Sequence, residues 1–399
     1  MSEVIPIYRE RTLGGEPETF YAPYFEVQIK GRKLPKDVLN DVTQVSYTDK
    51  VDDLDSFEIT VNNWDADELR FKYEPPGDTR VARMFDPGQH IDLYMGYVNN
   101  KRKMLVGEIT TLQPNFPESG GPSLTVGGLN ILHGFRKKQH TWAWEDKTDS
   151  QIAREIATNR LSDHRPGLGL TRKRFKTPNE SDEKAETSVF MKNQFDIVFL
   201  LERARHRGYT ISLKMEPDSQ GNELPSLTFG RSEKVREVTY ELEWGKTLSS
   251  FRPTLQTANQ ISKVTVRGWN RQTKSGFAGT AELRRDGPAN QDWQNRIARA
   301  LDGRHEEITD AAVRNKDEAT RMAKDRLANH SRRMITATGA TVGLPDLRAG
   351  CVVFIRGFSP PKEIAASFDG KYFVTETTHT INDQGYRTQF KARREGDSK

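Results

Sequence analysis

A pattern of glycines and alternating apolar residues near residue 88 returns near residue 350, with its parts in the same order. The first copy runs PGQHIDLYMGY (87–97), then GEITTL from Gly107 and SLTVGG from Ser123. The second runs AGCVVFIRGF (349–358), then GKYFVTETTHT from Gly370 and YRTQFKA from Tyr386. Gly88 and Gly107 lie 19 positions apart and Gly350 and Gly370 lie 20 apart, while Gly107 to Ser123 and Gly370 to Tyr386 are both 16. The second glycine of each opening run, Gly96 against Gly357, is likewise offset by one residue. A chain that builds one small β unit twice presents two equivalent surfaces, so n copies of it match a ring of 2n. The candidate site residues are therefore the repeat glycines Gly88, Gly96, Gly107, Gly350, Gly357 and Gly370. They are expected at tight turns or close backbone approaches, with Gly88 and Gly350 the most constrained.

Around the first copy, period-2 alternation puts Phe25, Val27 and Ile29 on one face, then Thr43, Val45 and Tyr47, then Phe57, Ile59 and Val61, with Trp64 capping the core. Alternation of this kind reads as half-buried antiparallel strands. About six strands with turn signals between them predict a closed or nearly closed barrel over residues 1–132. Residues 133–245 change texture. Thr148 with Gln151 forms a capping-box signal before Ile152 and Ile156. In FDIVFLLERARHRG, Ile197, Leu200, Leu201 and Ala204 share a helical face, and Gly208 stands at the helix end. A middle mixed α/β domain is expected there, with a charged loop from Gly167 to Thr187 and a strand over YTISLKM. Residues 246–399 are expected to form the second barrel, with a strand in ISKVTVRGW, an exposed stretch from Asn270 to Asp292, and a helix over 316–329 carrying Ala319, Met322, Ala323 and Leu327. The predicted class is α+β, β-rich: two related β-barrel tube domains with a mixed α/β region between them.

A hydrophobic fraction of 34% against 29% charged residues suits several modest cores rather than one large one. No run approaches the length of a membrane-spanning helix, and the polar start lacks the apolar segment of a signal peptide, so assembly in the cytoplasm is expected. The single cysteine, Cys351, excludes an internal disulfide and a multi-cysteine metal site, and its place in CVVFI marks a packed strand residue. The net charge of +5 and a pI near 9.0 raise a nucleic-acid reading. The basic clusters at Arg136–Lys138, Arg172–Arg174, Arg203/Arg205/Arg207, Arg332/Arg333 and Arg393/Arg394 are scattered and mixed with acids, which reads as solvated faces and subunit contacts.

The residues offer no catalytic constellation, and no metal or cofactor site is expected. Gly245-Lys246-Thr247 has Tyr240 where a phosphate loop needs its upstream glycine, and Glu241 and Glu243 repel phosphate. Gly167 and Gly169 make half a dinucleotide fingerprint, with Arg172 at the third glycine's place and no strand before them. The eight histidines contain no zinc-protease pair, and His379 reads as a strand residue. Glu118-Ser119-Gly120-Gly121 and Ser275-Gly276 lack the glycine of a nucleophile elbow. The pairs Glu145/Asp146 and Glu306/Glu307 read as surface carboxylates.

The stretches DSFEITVNNW (55–64), FDPGQHIDLYMGY (85–97), MLVGEI (104–109), QFDIVFLLERARHRG (194–208), ISKVTVRGW (261–269), GLPDLRAGCVVFIRG (343–357), GKYFVTETTHTI and GYRT (385–388) follow one another in family order. In them the chain resembles the phage late-control gene D family of baseplate hub proteins, related to the T4-type hub and to the N-terminal part of VgrG-type spike proteins. The resemblance implies a non-enzymatic homotrimer in a phage tail or injection particle, whose two barrels per subunit form a pseudo-sixfold ring. That ring would join a hexameric inner tube protein to a spike and contact other baseplate components. VgrG-type chains continue into a β-helical spike whereas this sequence ends at Lys399, so a separate spike protein is expected and no embedded lysozyme. The alternatives are a baseplate-associated peptidoglycan hydrolase and, from pI alone, a nucleic-acid binder; membrane contact and a specific nucleic-acid ligand are not expected.

Overall fold

The computed structural model describes residues 22–73, 83–98, 100–136, 138–158, 174–221, 223–231, 239–258, 260–270, 273–282, 303–309, 313, 315–331, 334–358 and 368–394, with short paired segments at 5–6, 12–13 and 16–17. The chain begins with β1 (Pro23–Ile29), a short helix α1 (Lys36–Asp41) and two long strands, β2 (Val42–Lys50) and β3 (Ser56–Asn62). Next come β4 (His90–Tyr97), β5 (Asn100–Asn115) and β6 (Ser123–Asn130). Their antiparallel pairing gives the lateral order β1-β4-β5-β6-β3-β2. Alternation explains which face is buried: Val27, Ile29, Val45, Tyr47, Phe57, Ile59, Val61, Ile91, Leu93 and Met95 all lie in one core. Thr43 departs from the expected stripe and is exposed, because the register shifts between Val42 and Gln44 and turns it out of the core. Trp64 is half-buried and packs edge-on against Phe71.

The middle region is richer in strands than its sequence suggests. β7 (Gln139–Lys147) pairs with β8 (Glu186–Phe195), and β9 (Tyr209–Pro217) pairs with β10 (Glu223–Arg231). Helices α2 (Asp149–Ala157) and α3 (Asp196–Arg207) pack with them around Trp144, Ile152, Ile156, Leu200 and Phe229. α2 starts at the capping box of Thr148 and Gln151, and α3 ends at Gly208 with φ 66°. The start of the predicted charged loop, with Gly167 and Gly169, lies outside the described residues, as does Arg172; its later part holds a two-residue strand at Phe175–Lys176 and a 3-10 turn at Glu180–Asp182, and its last two residues begin β8.

Beyond it come β11 (Thr239–Glu243) and β12 (Leu248–Leu255), then β13 (Lys263–Asn270), β14 (Ser275–Glu282) and β15 (His305–Ile308) with helix α4 (Lys316–Ser331). The chain closes with β16 (Ile335–Val342), β17 (Val352–Arg356), β18 (Gly370–Asn382) and β19 (Gly385–Arg394). The stretch expected to be exposed from Asn270 contains β14, which pairs along all of β13; its part beyond Glu282 lies outside the described residues. Gly279 is the reason the strand can lie so close to α4, since a Cβ there would stand 2.1 Å from the Thr320 nitrogen.

Strands β11, β12 and β16–β19 pair in the order β11-β17-β18-β19-β16-β12. Numbered along the chain within each half, this is first-fourth-fifth-sixth-third-second, the same order as β1-β4-β5-β6-β3-β2. The repeat seen in two short runs is thus a repeat of six strands, with β13–β15 and α4 inserted between the second and third strands of the later copy. Strand β2 of the first half pairs antiparallel with β18 of the second, so both belong to one hydrogen-bonded network. Among the described residues the pairings form an open, branched path.

The chain divides into two compact units. One comprises Met1–Ser250, Gly339–Val353 and Val374–Phe390; the other comprises Phe251–Thr338, Phe354–Phe373 and Lys391–Lys399. The second unit has its own core, in which Val264, Val266 and Ala281 meet Ala319, Ala323 and Leu327 of α4.

Candidate functional site

The repeat is most clearly expressed in two turns of the first unit. In residues 86–89 the Gln89 N–H donates to the Asp86 carbonyl (3.3 Å), and in 348–351 the Cys351 N–H donates to the Arg348 carbonyl (3.1 Å). The third residue of each is the repeat glycine, Gly88 with φ 87° and Gly350 with φ 89°. A four-residue turn with positive φ at its third position selects glycine there. The bonds that anchor the turns also match. Gly88 donates to the Ile109 carbonyl (2.8 Å) and Ile109 to the Gln89 carbonyl (2.9 Å); Gly350 donates to Val374 (2.8 Å) and Val374 to Cys351 (2.8 Å). Cys351, buried at the fourth position of its turn, immediately precedes β17. Gly88→Ala and Gly350→Ala are each expected to lower the unfolding free energy by about 1–2 kcal/mol, and asparagine at either place by less. Chemical denaturation checks both, and an alanine without cost at both sites would remove the turn argument.

The other four glycines are less alike. Gly96 (φ 152°) and Gly357 (φ 109°) both take positive φ, and a Cβ on Gly96 would lie 2.2 Å from the Asn100 carbonyl oxygen. Gly107 is held by contact: its Cβ would meet the Leu129 carbonyl oxygen at 2.2 Å. Gly370 has φ 141° and faces only the Arg394 side chain, at 3.4 Å. Hydrogen bonding aligns Ile109 with Val374, so Gly107 falls level with Tyr372 rather than with Gly370.

The two turns differ in their surroundings. Pro87 and Gly88 are exposed, whereas Ala349, Gly350 and Cys351 are buried, with Gly350 against Ser212. What holds the buried turn is Arg348, which the sequence reading did not single out. Its Nε donates to Asp49 Oδ2 (2.7 Å), its Nη2 to the Tyr47 hydroxyl and the Met104 carbonyl (3.1 Å for the latter), and its guanidinium lies 4.7 Å from the Tyr47 ring centroid. The Ala349 N–H donates to the same Asp49 oxygen (3.0 Å), and Thr377 donates to the other. Nearby His379 is fully buried. Its Nε2 lies 3.0 Å from the Leu347 carbonyl and so must be the protonated nitrogen, leaving Nδ1 to accept from Tyr386 (2.9 Å) and Thr388 (3.1 Å).

Burial, reinforced by Asp49, pushes the Asp55 carboxyl up to about 7, and burial pushes His379 down to about 4. The two work in opposite directions on stability. Asp55, raised in the folded state, contributes stability at low pH that is lost as pH rises toward 7; His379, lowered, contributes stability near neutrality that is lost as pH falls toward 4. Asp55→Asn removes the first effect. It is expected to raise stability by about 2 kcal/mol at pH 8 and to change it little at pH 4, read by urea unfolding at the two pH values. A gain of equal size at both would show that charge burial is not its origin.

This network cannot hold a substrate, since its donors and acceptors are sealed and satisfied by one another. Among the described residues no group of three or more histidine, cysteine or acidic side chains could hold a metal ion. The tripeptide Gly245-Lys246-Thr247 is the turn between β11 and β12, with Lys246 and Thr247 both donating to the Glu243 carbonyl. Glu306 pairs with Arg326 and Glu307 with Arg267, so this acidic pair is less free than expected. Two of the basic residues read as solvated are not: Arg203 and Arg207 are largely buried and both bind the buried Asp149 and Glu186. Their spacing of four on α3 aims both at one carboxylate, a signal the sequence did contain.

The description "Alg8 N-terminal domain" belongs to a family model that matches residues 22–383. No curated protein matches the chain. Among solved structures, the 43 kDa tail protein of prophage MuSo2 from Shewanella oneidensis is 14% identical with a TM-score of 0.65, covering 93% of this chain and 98% of that one. A tail protein from Neisseria meningitidis is 13% identical with a TM-score of 0.63, covering 94% and 98%. The E. coli c3393 protein, described as a component of the type VI secretion system with structural similarity to the T4 bacteriophage tail proteins gp27 and gp5, is 12% identical with a TM-score of 0.58, covering 93% and 77%. At these identities the likeness is one of fold, and it extends over nearly the whole chain.

Proposed function

The chain belongs to the Alg8 N-terminal domain family, and from its doubled six-strand order and its tail-protein fold we propose that it is a structural component of a phage-tail or injection-machine baseplate. The observation that carries this reading is the doubled order, because it supplies two equivalent half-sheets in one subunit. In detail, the protein is a hub of the late-control gene D type, in which each half-sheet completes a barrel. Three subunits then offer six equivalent faces to a hexameric inner tube protein and three to a spike. The two tube domains are residues 1–132 and the expected 246–399, the latter reaching back to Thr239 to take in β11, with the middle region between them, and the repeat glycines shape the matching faces. Its partners are its own copies, the tube and spike proteins and other baseplate components, within a phage or injection particle. Among the described residues no helix is long and apolar enough to cross a membrane.

Size-exclusion chromatography with light scattering is expected to show a trimer, or a monomer that becomes one when a tube or spike protein is added. A stable dimer that binds neither would refute the hub.

A further inference from the structure

The doubled strand order leaves one joint made and its counterpart open. Within the chain, the last strand of the first half, β2, pairs with β3 on one edge and with residues 376–381 of β18 on the other, from Lys50 opposite Glu376 to Val45 opposite Ile381. The last strand of the second half is β12, which pairs with β16 and, among the described residues, with nothing on its other edge. The counterpart of β18 is β5, as the matched bonds of Ile109 and Val374 establish. Counting from those two residues, 376–381 corresponds to 111–116. Strand β4 accompanies β5 only as far as Glu108, and β6 occupies the opposite edge, so beyond Ile109 this edge of β5 has no strand partner among the described residues. The later half thus ends in a strand without an acceptor, and the earlier half holds an acceptor edge without a strand.

Both are exposed and partly apolar. Residues 111–116 are all exposed, with Leu112 at 38% and Phe116 at 59%, and β12 ends on Leu255 at 37%. An open edge is a template for another strand, which a chain that works alone would cover. Pro114 on β5 and Pro253 on β12 each lack a donor, which keeps the free edges from recruiting strands without selectivity.

Resting on the ring-component reading above, we propose that β12 of one copy adds antiparallel to the end of β5, residues 111–115, in the next copy, repeating between chains the β2–β18 joint made within each. The contact is head-to-tail, and because it repeats an internal joint it carries the same rotation from each half to the next; a closed ring requires that this rotation divide a full turn, whereas any other value builds an open filament.

The test uses the full chain with Gln113→Cys and Arg252→Cys together, treated with a short bis-maleimide; the natural Cys351 is buried. A covalent ladder that stops at the ring size is expected from the double variant, and no cross-linked species from either single variant. Cross-linked dimers from one single variant would mean that like edges meet, and would overturn the proposal. Absence of a ladder in a chain that light scattering shows to be assembled would also overturn it, while leaving the hub reading intact. A chain that is monomeric at every concentration, alone and with either a tube or a spike protein, overturns both. As a second readout, Leu112→Lys, with its unfolding midpoint unchanged, is expected to weaken self-association ~10-fold; unaltered association overturns the proposal.

Discussion

Arg348→Ala is expected to lower the unfolding free energy by about 3–5 kcal/mol at pH 8, the cost of removing one partner from a buried ion pair. The guanidinium is 11% exposed and Asp49 is 5% exposed, so without Arg348 a carboxylate remains buried with only Thr377 and the Ala349 N–H to hold it. Asp55, already raised by burial, loses the nearby positive charge that opposes the shift, and its carboxyl rises further. Proton uptake then relieves the folded state, so the penalty is expected to shrink between pH 8 and pH 5, the direction required for an acid whose folded value lies above its unfolded one. Arg348→Lys retains the charge but not the planar fork shared by Asp49, Tyr47 and the Met104 carbonyl, and is expected to lose about 2 kcal/mol. Urea unfolding at the two pH values decides the matter: a loss below ~1 kcal/mol that ignores pH would show that the network is ornamental.

That network also marks the limit of what could be read from the residues in order. Arg348 and Asp49 are 299 positions apart, and nothing in LPDLRAG distinguishes its arginine from a surface one until the strands are paired. The turns were legible for the opposite reason: a positive φ at Gly88 and Gly350 is a local demand that only a local residue can meet. Helix α3 announced itself through its apolar stripe and Gly208, and α2 through its capping box. The β7–β8 pair left no such trace, because most of its side chains are exposed and it buries only Trp144, Val189 and Met191, too few to alternate visibly. The six-strand repeat was half legible. Its two opening runs share residues, but β2 and β12, or β3 and β16, share only their place in the sheet, which pairing reveals and composition does not.

Gly107→Ala separates the repeat of sequence from the repeat of structure. Its new Cβ would stand 2.2 Å from the Leu129 carbonyl oxygen and 2.8 Å from the Leu105 side chain. The first obstacle is backbone in the paired strand β6, which cannot yield without drawing β5 away from it. A cost of about 3 kcal/mol is expected, at the upper end of overpacking penalties. The neighbouring Gly128, whose Cβ would meet the Glu108 carbonyl oxygen at 2.3 Å and the Phe57 ring at 2.4 Å, should behave alike, since the two glycines flank one pair of strands. Gly370, the sequence counterpart of Gly107, is different. A Cβ there meets only the end of the Arg394 side chain, so Gly370→Ala is expected to lose about 1 kcal/mol, from its positive φ alone. Chemical denaturation of the two variants measures the difference, and equal losses would mean that the glycines are equivalent after all. The strand that Gly107 seats continues directly into residues 111–115. Gly107→Ala is therefore also expected to weaken self-association in light scattering, while Gly370→Ala, remote in the chain from that edge, leaves it unchanged.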